Sequence, residues 1–189
     1  MPTVAIVHFS GYGHTKKQAA AVREGVRSVE GVEVLDLVID DEGNWDDAAF
    51  AQLAEVDAII YGSPTYMGGP AWQFKKFADA SSKPWFELKW KDKFAGGFTN
   101  SASVNGDKFS TIQYFMTLAM QHGQIWIGTG LLPANTKANG PDDVNWTGGS
   151  GGALAISPAD ASPEEAPRAG DLETARLYGE RIAQMAARA

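Results

Sequence analysis

Three short segments of the chain collect glycines, hydroxyl groups and free backbone amides. The first loop, residues 10–15, reads SGYGHT, the second loop, residues 63–70, reads SPTYMGGP, and the third loop, residues 99–106, reads TNSASVNG. The first loop precedes a stretch of helical spacing, so its amides lie at a helix N-terminus, where phosphate groups bind. In the second loop, glycine amides can address the polar edge of a heterocycle while Tyr66 or Met67 lies near its face. These residue types predict a site for an aromatic ring that carries a phosphate.

The first loop departs from two better-known glycine-rich motifs. A Walker A loop needs four residues between its glycines and then Gly-Lys, and a dinucleotide fingerprint needs a third glycine. Gly11 and Gly13 begin the fingerprint, but Lys16 stands in the place of the third glycine. Asp36 stands about where the fingerprint has its ribose contact, so dinucleotide binding stays open. Plain helix capping and turn formation are the structural alternative for each loop.

The loops follow apolar runs that alternate with stretches of helical spacing. Strands are predicted at 3–9, 32–38, 56–63, 93–99 and 124–128, and helices at 15–29, 48–53, from 72 to beyond 77, at 107–122 and over the final stretch from 175 to 186. Such alternation predicts parallel strands joined by crossover helices. Because ligands bind beyond the carboxyl ends of the strands in open α/β sheets, we expect the three loops to meet there.

Two other stretches are predicted to lie outside regular structure. The Trp- and Lys-rich segment 83–93 has the pattern of a partly exposed loop. Residues 129–170 are rich in Gly, Pro, Asn and Asp and show no sustained periodicity, which indicates a long functional excursion. We expect residues 1–189 to form a single domain that includes this excursion.

Composition narrows the range of functions that the chain can have. A net charge of −7 gives no basic field for nucleic acid, and the absence of cysteine excludes disulfides, thiolate chemistry and cysteine-ligated clusters. The three histidines do not stand at ligand spacing, so no metal site is predicted. The N-terminus has no signal-peptide pattern and no run approaches a membrane span, so no membrane partner and a cytoplasmic location are expected. Redox chemistry would need a borrowed cofactor.

Several segments together resemble one protein family. In order and spacing, SGYGHT, GSPTYMGGP, WQFKKFADASSKPW, FTNSAS and LAMQHG are similar to the flavodoxin-like FMN proteins, and in particular to the WrbA-type NAD(P)H:quinone oxidoreductases. The likeness covers residues 3–128 and resumes at ARLYGERIA. It implies an α/β fold with a flavodoxin-like, doubly wound, five-stranded parallel sheet of order 2-1-3-4-5 and helices on both faces. The chain departs from the family pattern at Tyr66, Met67 and Gly69, where arginine, phenylalanine and asparagine are usual.

The resemblance also implies a cofactor and its contacts. FMN would be the cofactor and NAD(P)H the electron donor. Its phosphate would be surrounded by Ser10, Tyr12, Gly13, His14 and Thr15. Its ribityl chain and isoalloxazine would be embraced by Pro64, Thr65, Tyr66, Met67, Gly68, Gly69, Thr99, Asn100, Ser101, Ala102 and Ser103. Trp85 and His122 would stand beside the open face of the flavin, where nicotinamide and then quinone bind.

The function implied is that of an FMN-dependent oxidoreductase that transfers electrons from NAD(P)H to quinone-type acceptors. The resemblance also implies a homodimer or homotetramer in which residues 129–157 cover a neighbouring subunit. Two alternatives stay open: a flavodoxin-type electron carrier without NAD(P)H turnover, which the net charge of −7 suits, and a nucleotide-binding module without redox turnover. Trp85 can also be a groove-filling aromatic, and His122 a helix C-terminal cap. His8 is assigned no role.

Overall fold

The first strand lies in the middle of a parallel sheet. In the computed structural model, which describes Met1–Ala189, β1 (Thr3–His8) pairs with β2 (Glu33–Val38) on one side and with β3 (Ala58–Gly62) on the other. Every residue of β1 after Thr3 is buried, as its apolar sequence requires of a strand that helices cover on both faces. The chain therefore changes its direction across the sheet at β1.

The fifth position of the sheet is divided between two short strands. The fourth strand of the sheet, β6 (Phe94–Ser101), pairs with β3, and two strands share its other edge. β7 (Ile125–Trp126) pairs with the beginning of β6, and β8 (Ala153–Ile156) pairs with its end, both in parallel. The predicted order 2-1-3-4-5 is confirmed, but the predicted strand at 124–128 supplies only the first part of the fifth position.

Helices cover both faces of the sheet, and a small hairpin precedes the third. The helices are α1 (His14–Arg27), α2 (Asp47–Glu55), α3 (Trp72–Ala80), α4 (Ser82–Phe86), α5 (Lys108–Gln121) and α6 (Ala169–Ala186); the hairpin strands are β4 (Thr65–Tyr66) and β5 (Gly69–Pro70). One buried cluster lies under α1 and α6, and a second lies under α2, α3 and α5. None of the helices has the length and apolar content that crossing a bilayer requires.

The helices α1 and α6 pack backbone to backbone. A Cβ atom on Gly25 would lie 1.8 Å from the carbonyl oxygen of Arg176, and one on Gly179 would lie 2.2 Å from that of Val22. Both distances are far inside van der Waals contact, so only hydrogen fits at either position. This contact fixes α6 against the helix whose N-terminus carries the first loop.

The segment 83–93 differs from its prediction as a partly exposed loop. It includes part of α4, and Trp90 within it is completely buried. The indole ring lies between Phe77, whose ring centroid is 6.3 Å away, and His122, at 4.0 Å. Trp90 stands among exposed lysines in the sequence, so the local pattern gives no sign that this one residue belongs to the core.

Candidate functional site

The three loops meet at the carboxyl edge of the sheet, beside the strand where the direction across the sheet changes. They enclose a cleft of about 540 Å³, within the range of about 300–1,000 Å³ found for small-molecule sites. The cleft is lined by Tyr12, His14, Thr15, Pro64, Thr65, Tyr66, Asn100, Ala102, Ser157, Pro158, Ala159, Ala161 and Pro163. Its place is therefore the switch point at which open α/β sheets bind their ligands.

The first loop presents unused backbone donors. Gly13 occupies the N-cap position of α1 with a φ of 90°, and no side chain caps the helix. The backbone N–H groups of residues 11–15 find no acceptor within the protein, whereas the amide of Lys16 donates to Ser10 Oγ at 3.0 Å. Several free amides at the positive end of a helix dipole form an anion-binding site.

A side-chain hydrogen bond joins the first loop to the third. Asn100 Nδ2 donates to Thr15 Oγ1 at 2.7 Å, and both residues are buried. Thr15 lies in the first turn of α1, while Asn100 lies in β6. The bond therefore fixes the helix N-terminus relative to the carboxyl end of the sheet, and both side chains line the cleft.

The second loop is a hairpin whose turn points to solvent. Met67 and Gly68 have φ angles of 49° and 79°, and two successive positive φ angles are typical of a type I′ turn. Met67 is fully exposed at the tip, and Gly69 begins β5. Tyr66 meets Tyr12 edge to face, with ring centroids 6.2 Å apart. Burial, and after it the neighbouring Tyr12, raise the pKa of Tyr66, so its hydroxyl keeps its proton and can donate a hydrogen bond.

Three threonine hydroxyls support the floor of the cleft. Thr65 Oγ1 lies 2.8 Å from Thr99 Oγ1 and 2.8 Å from Thr111 Oγ1, and all three residues are buried. Beside them, Ser63 Oγ accepts the amide hydrogen of Ala71 at 2.9 Å. The second loop is thereby tied to β6 and to α5. Thr111 belongs to this network, although no motif in the sequence marks it.

A buried lysine holds the third loop. Lys108 Nζ donates to Ser101 Oγ at 2.9 Å, to the carbonyl oxygen of Ser103 at 2.9 Å and to that of Val104 at 2.8 Å. Burial lowers the pKa of Lys108 to about 8, and the carboxylate of Asp171 opposes that shift. Lys108 therefore positions the loop that follows β6, a role that sequence reasoning missed because the residue stands at the beginning of an ordinary helix.

A fourth wall of the cleft comes from the excursion. We call residues 157–165 the strap; five of the residues that line the cleft belong to it. His14 Nε2 lies 3.0 Å from the carbonyl oxygen of Ala161, and Lys17 Nζ donates to that of Glu164 at 3.0 Å. The strap therefore crosses over the first loop and the beginning of α1. Sequence reasoning assigned it no site residue, because its proline-rich sequence has no periodicity that would place it.

Trp85 and His122 are not brought to the cleft. His122 follows α5, which starts near the carboxyl edge of the sheet and ends beside Ile125, the residue paired with the first residue of β6. A helix of 14 residues spans about 21 Å. In one chain both residues therefore lie near the amino edge of the sheet, away from the cleft, and their place beside a bound ring stays a prediction.

The surroundings of His122 explain its place. Its ring stacks on Trp90, its Nε2 lies 2.9 Å from Ser81 Oγ, and only 2% of the residue is exposed. Burial lowers the pKa of His122 to about 4, so the imidazole is neutral at physiological pH. Trp85 lies beside it and is half exposed. In this chain His122 is a core residue that closes a helix end.

His8, which is buried, and Asp36, which is partly buried, form a separate contact. His8 Nδ1 lies 3.4 Å from Asp36 Oδ1, and the guanidinium of Arg23 pairs with the other carboxylate oxygen. Asp36 stands opposite Ile6 in the ladder between β1 and β2, two residues before that strand ends. Its carboxylate is engaged by Arg23 and His8, so the arrangement does not favour the ribose contact that a dinucleotide site would need.

Comparisons with a family model and with known proteins agree on one family. The model of the family described as NADPH-dependent FMN reductase matches residues 10–137. The flavodoxin FldP of Pseudomonas aeruginosa is 50% identical, over 98% of this chain and 97% of its own length. A protein named NAD(P)H dehydrogenase (quinone) from Chromohalobacter salexigens is 35% identical, over 100% of this chain and 98% of its own.

A solved structure agrees with these relatives. The flavodoxin, WrbA-like protein from Agrobacterium tumefaciens superimposes with a TM-score of 0.79 at 47% identity, covering 100% of this chain and 99% of that one. The flavodoxin-like fold and the resemblance to WrbA-type proteins are thereby confirmed. The chain belongs to the NADPH-dependent FMN reductase family.

Proposed function

We propose that this protein is an FMN-dependent oxidoreductase that passes electrons from NAD(P)H to quinone-type acceptors. The observation that carries the proposal is one cleft that combines two kinds of groups. Unpartnered backbone amides of residues 11–15 lie beside it, and the Tyr12 and Tyr66 rings and Thr65 line it. A flat heterocycle linked to a phosphate has matching chemistry. The names of the relatives support the redox assignment.

The donor set fits FMN. The amides of the first loop, with Ser10 and Thr15, would hold the phosphate, since free amides at a helix N-terminus bind that group. Thr65, Asn100 and the amides of the second and third loops would address the ribityl hydroxyls and the polar edge of the ring. FMN, when bound, supplies the hydride and electron chemistry that this cysteine-free chain lacks.

The protein's own residues would bind and orient the reactants. Tyr12 is largely exposed, so the cleft stays open on that side to a flat nicotinamide and then to a flat acceptor. Tyr66 keeps its proton and can donate to an oxygen of either one. The catalytic roles predicted for Trp85 and His122 are not part of the proposal for a single chain, because both lie at the other edge of the sheet.

Steady-state kinetics test the proposal. If NADPH and a quinone use the same open side of the cleft in turn, double-reciprocal plots of rate against NADPH at several benzoquinone concentrations will be parallel. Intersecting lines would contradict the use of one shared site. If NADPH is not oxidised at all, whatever the benzoquinone concentration, the proposed activity as a whole is contradicted.

An electron carrier is the second candidate. The relative that is 50% identical is named a flavodoxin, and the residues that line the cleft include no tryptophan and, of the histidines, only His14 next to the first loop's free amides. A carrier would bind FMN and exchange single electrons with larger redox proteins, and its flavin would not accept hydride from NADPH. Anaerobic addition of NADPH to the FMN-loaded protein separates the two candidates, since only the oxidoreductase loses its flavin absorbance.

A further inference from the structure

We propose that flavin binding to the cleft depends on the proton of Lys108, because the ammonium group of this side chain holds the third loop in the shape that receives the ligand. The inference rests on the proposed function, since the ligand is the flavin proposed there. Lys108 itself does not line the cleft, whereas Asn100 and Ala102 do. It is therefore a positioning residue, which acts on the ligand through the loop that it holds.

The ammonium group of Lys108 uses each of its three hydrogens on the third loop. Two go to the carbonyl oxygens of Ser103 and Val104, and one goes to Ser101 Oγ, at 2.8–2.9 Å. The Ser101 hydroxyl in turn donates its own hydrogen to the carbonyl oxygen of Ser103 at 3.1 Å. A neutral amine has only two hydrogens, and bonds from a charged donor are about twice as strong as neutral ones. Deprotonation therefore leaves one bond unmade and weakens the other two.

No other contact holds the tip of this loop. The side chains of residues 102–105 are exposed, so apolar packing does not fix them. Their hydrogen bonds within the protein go only to Ser101 and Lys108, and they include one from the backbone amide of Lys108 to the carbonyl oxygen of Asn105 at 3.3 Å. The shape of the loop tip therefore depends on Lys108.

The same bonds decide where the amides of the loop point. A trans peptide unit is planar, with its C=O and N–H groups on opposite sides. Because the carbonyl oxygens of Ser103 and Val104 turn toward the buried ammonium group, the amides of Val104 and Asn105 turn away from it. These two amides donate to no group of the protein. Lys108 thereby leaves two backbone donors of the third loop free for a ligand.

The charges around Lys108 place the change above neutral pH. Asp171 of α6 is the charged group that acts on Lys108, and Arg168 and Asp142 act on Asp171 in turn. Burial raises the pKa of Asp171 to about 6, so its carboxylate is largely ionised at pH 7. Burial lowers the pKa of Lys108 to about 8, against the opposing charge of Asp171. About nine-tenths of the Lys108 side chains therefore carry the proton at pH 7, and about one tenth at pH 9.

Titration of the apoprotein with FMN at pH 7 and at pH 9 tests the proposal. The phosphate of FMN keeps its second charge throughout this range, since that group titrates near pH 6. The dissociation constant is expected to rise by at least about threefold from pH 7 to pH 9, with a limit of about tenfold if only the protonated protein binds. A smaller rise would overturn the proposal. Failure to bind FMN at pH 7 would instead contradict the proposed function, so the two failures are distinguishable.

Two matched variants assign the effect to Lys108. Lys108→Met removes the ammonium group, so it is expected to weaken FMN binding at pH 7 by at least about tenfold and to abolish the dependence on pH. Lys93→Met is the control and is expected to keep the wild-type rise. Burial also lowers the pKa of Lys93, but its side chain donates to the carbonyl oxygen of Val56 and it precedes β6 at the amino edge of the sheet. Loss of the rise in Lys93→Met, or its persistence in folded Lys108→Met, would overturn the assignment.

Proton uptake on binding gives a readout that a purely structural role of Lys108 would not change. Because the ligand favours the protonated side chain, binding of FMN at pH 9 should draw protons from solution. Isothermal titration calorimetry in buffers of different ionisation enthalpy measures this uptake. Uptake is expected for the wild-type and Lys93→Met proteins and not for Lys108→Met. Absence of uptake by the wild-type protein would overturn the proposal even if circular dichroism shows that Lys108→Met does not fold.

Discussion

At the scale of single residues, the first loop depends on a glycine whose backbone and surroundings both exclude a side chain. Gly13 has a φ of 90°, and Pro163 stands where its Cβ would be. Gly31 also has a positive φ, 75°, but nothing lies within 4 Å of its Cβ position. Comparing Gly13 with Gly31 therefore separates the cost of a side chain at a positive φ from the cost of a Cβ atom whose position is already occupied.

We therefore expect Gly13→Ala to weaken FMN binding by at least about tenfold, whereas Gly31→Ala leaves binding unchanged. Both variants should lose about 1 kcal/mol of unfolding free energy from the positive φ alone. Flavin titration and urea unfolding measure the two quantities. Equal FMN affinities in the two variants would show that the contact between Gly13 and the strap has no part in the site.

The threonine network gives a second prediction at this scale. Thr65→Val leaves the hydroxyls of Thr99 and Thr111 without their shared partner, and the loss of buried hydrogen bonds should lower the unfolding free energy by about 2 kcal/mol. Thr117→Val is the control, since that residue is exposed and bonds only to the carbonyl oxygen of Gln113. If urea unfolding finds the two variants equally stable, the network does not hold the second loop in place.

Among the elements, the contact between α1 and α6 is the most restrictive. Gly25→Ala and Gly179→Ala each insert a methyl group into the backbone of the opposite helix, so the helices must separate. We expect a loss of at least about 3 kcal/mol for each. Gly140→Ala should change the unfolding free energy by less than about 0.5 kcal/mol, because nothing lies within 4 Å of its Cβ position. Urea midpoints near the wild-type value for Gly25→Ala would contradict the close packing.

The beginning of α6 carries a pH-sensitive group. Asp171 accepts the amide hydrogen of Ile156 in β8 at 2.8 Å, and burial raises the pKa of its carboxyl to about 6. The charges of Lys108 and Arg168 oppose this shift, and the charge of Asp142 adds to it. Because the folded chain keeps this proton to a higher pH than the unfolded chain does, this group's contribution to stability is largest below about pH 4.

The resulting prediction concerns the acid range. As the pH rises from about 4 to about 6, Asp171 should remove about 3 kcal/mol from the unfolding free energy, a change that Asp171→Asn should abolish while it keeps the acceptor for Ile156. Lys108 titrates in a separate window above about pH 8 and does not affect the comparison. Urea unfolding of the wild-type and Asp171→Asn proteins at several pH values measures this change in unfolding free energy. Parallel profiles for the two proteins would contradict a raised pKa of Asp171.

Elements also show where reasoning from sequence succeeds. Long, strongly patterned segments such as β1 and α1 were predicted within two residues, because their apolar periodicity is local. The strand β8 was missed, since its four residues lie between a glycine-rich run and a proline-containing one and owe their conformation to the edge of β6. The same pairing extends β6 to Ser101, beyond its predicted end.

Part of the site could also be predicted from local sequence patterns. The three loops could be placed because each follows a strand, and carboxyl ends of parallel strands share one edge. The position of His122 in one chain follows from the topology, because a helix that returns from the end of one strand to the start of the next ends at the opposite edge of the sheet. The strap and Lys108 depend on tertiary contacts between distant segments, which a single sequence does not display.

At the scale of the whole molecule, the fold gathers a phosphate-binding helix N-terminus, an aromatic hairpin and a hydroxyl-rich strand end around one cleft. The predictions of a homodimer or homotetramer and of a cytoplasmic location remain predictions. A sedimentation mass equal to that of one chain, 20.2 kDa, would contradict the first of them.

The most direct test of the account is an anaerobic absorption spectrum of the protein reconstituted with FMN, recorded before and after NADPH and again after benzoquinone. The account predicts that bound flavin absorbs in the visible range, loses this absorbance when NADPH is added and recovers it with the quinone. Bound flavin that NADPH leaves unchanged would contradict the oxidoreductase and favour the electron carrier. Failure of FMN to bind would contradict both.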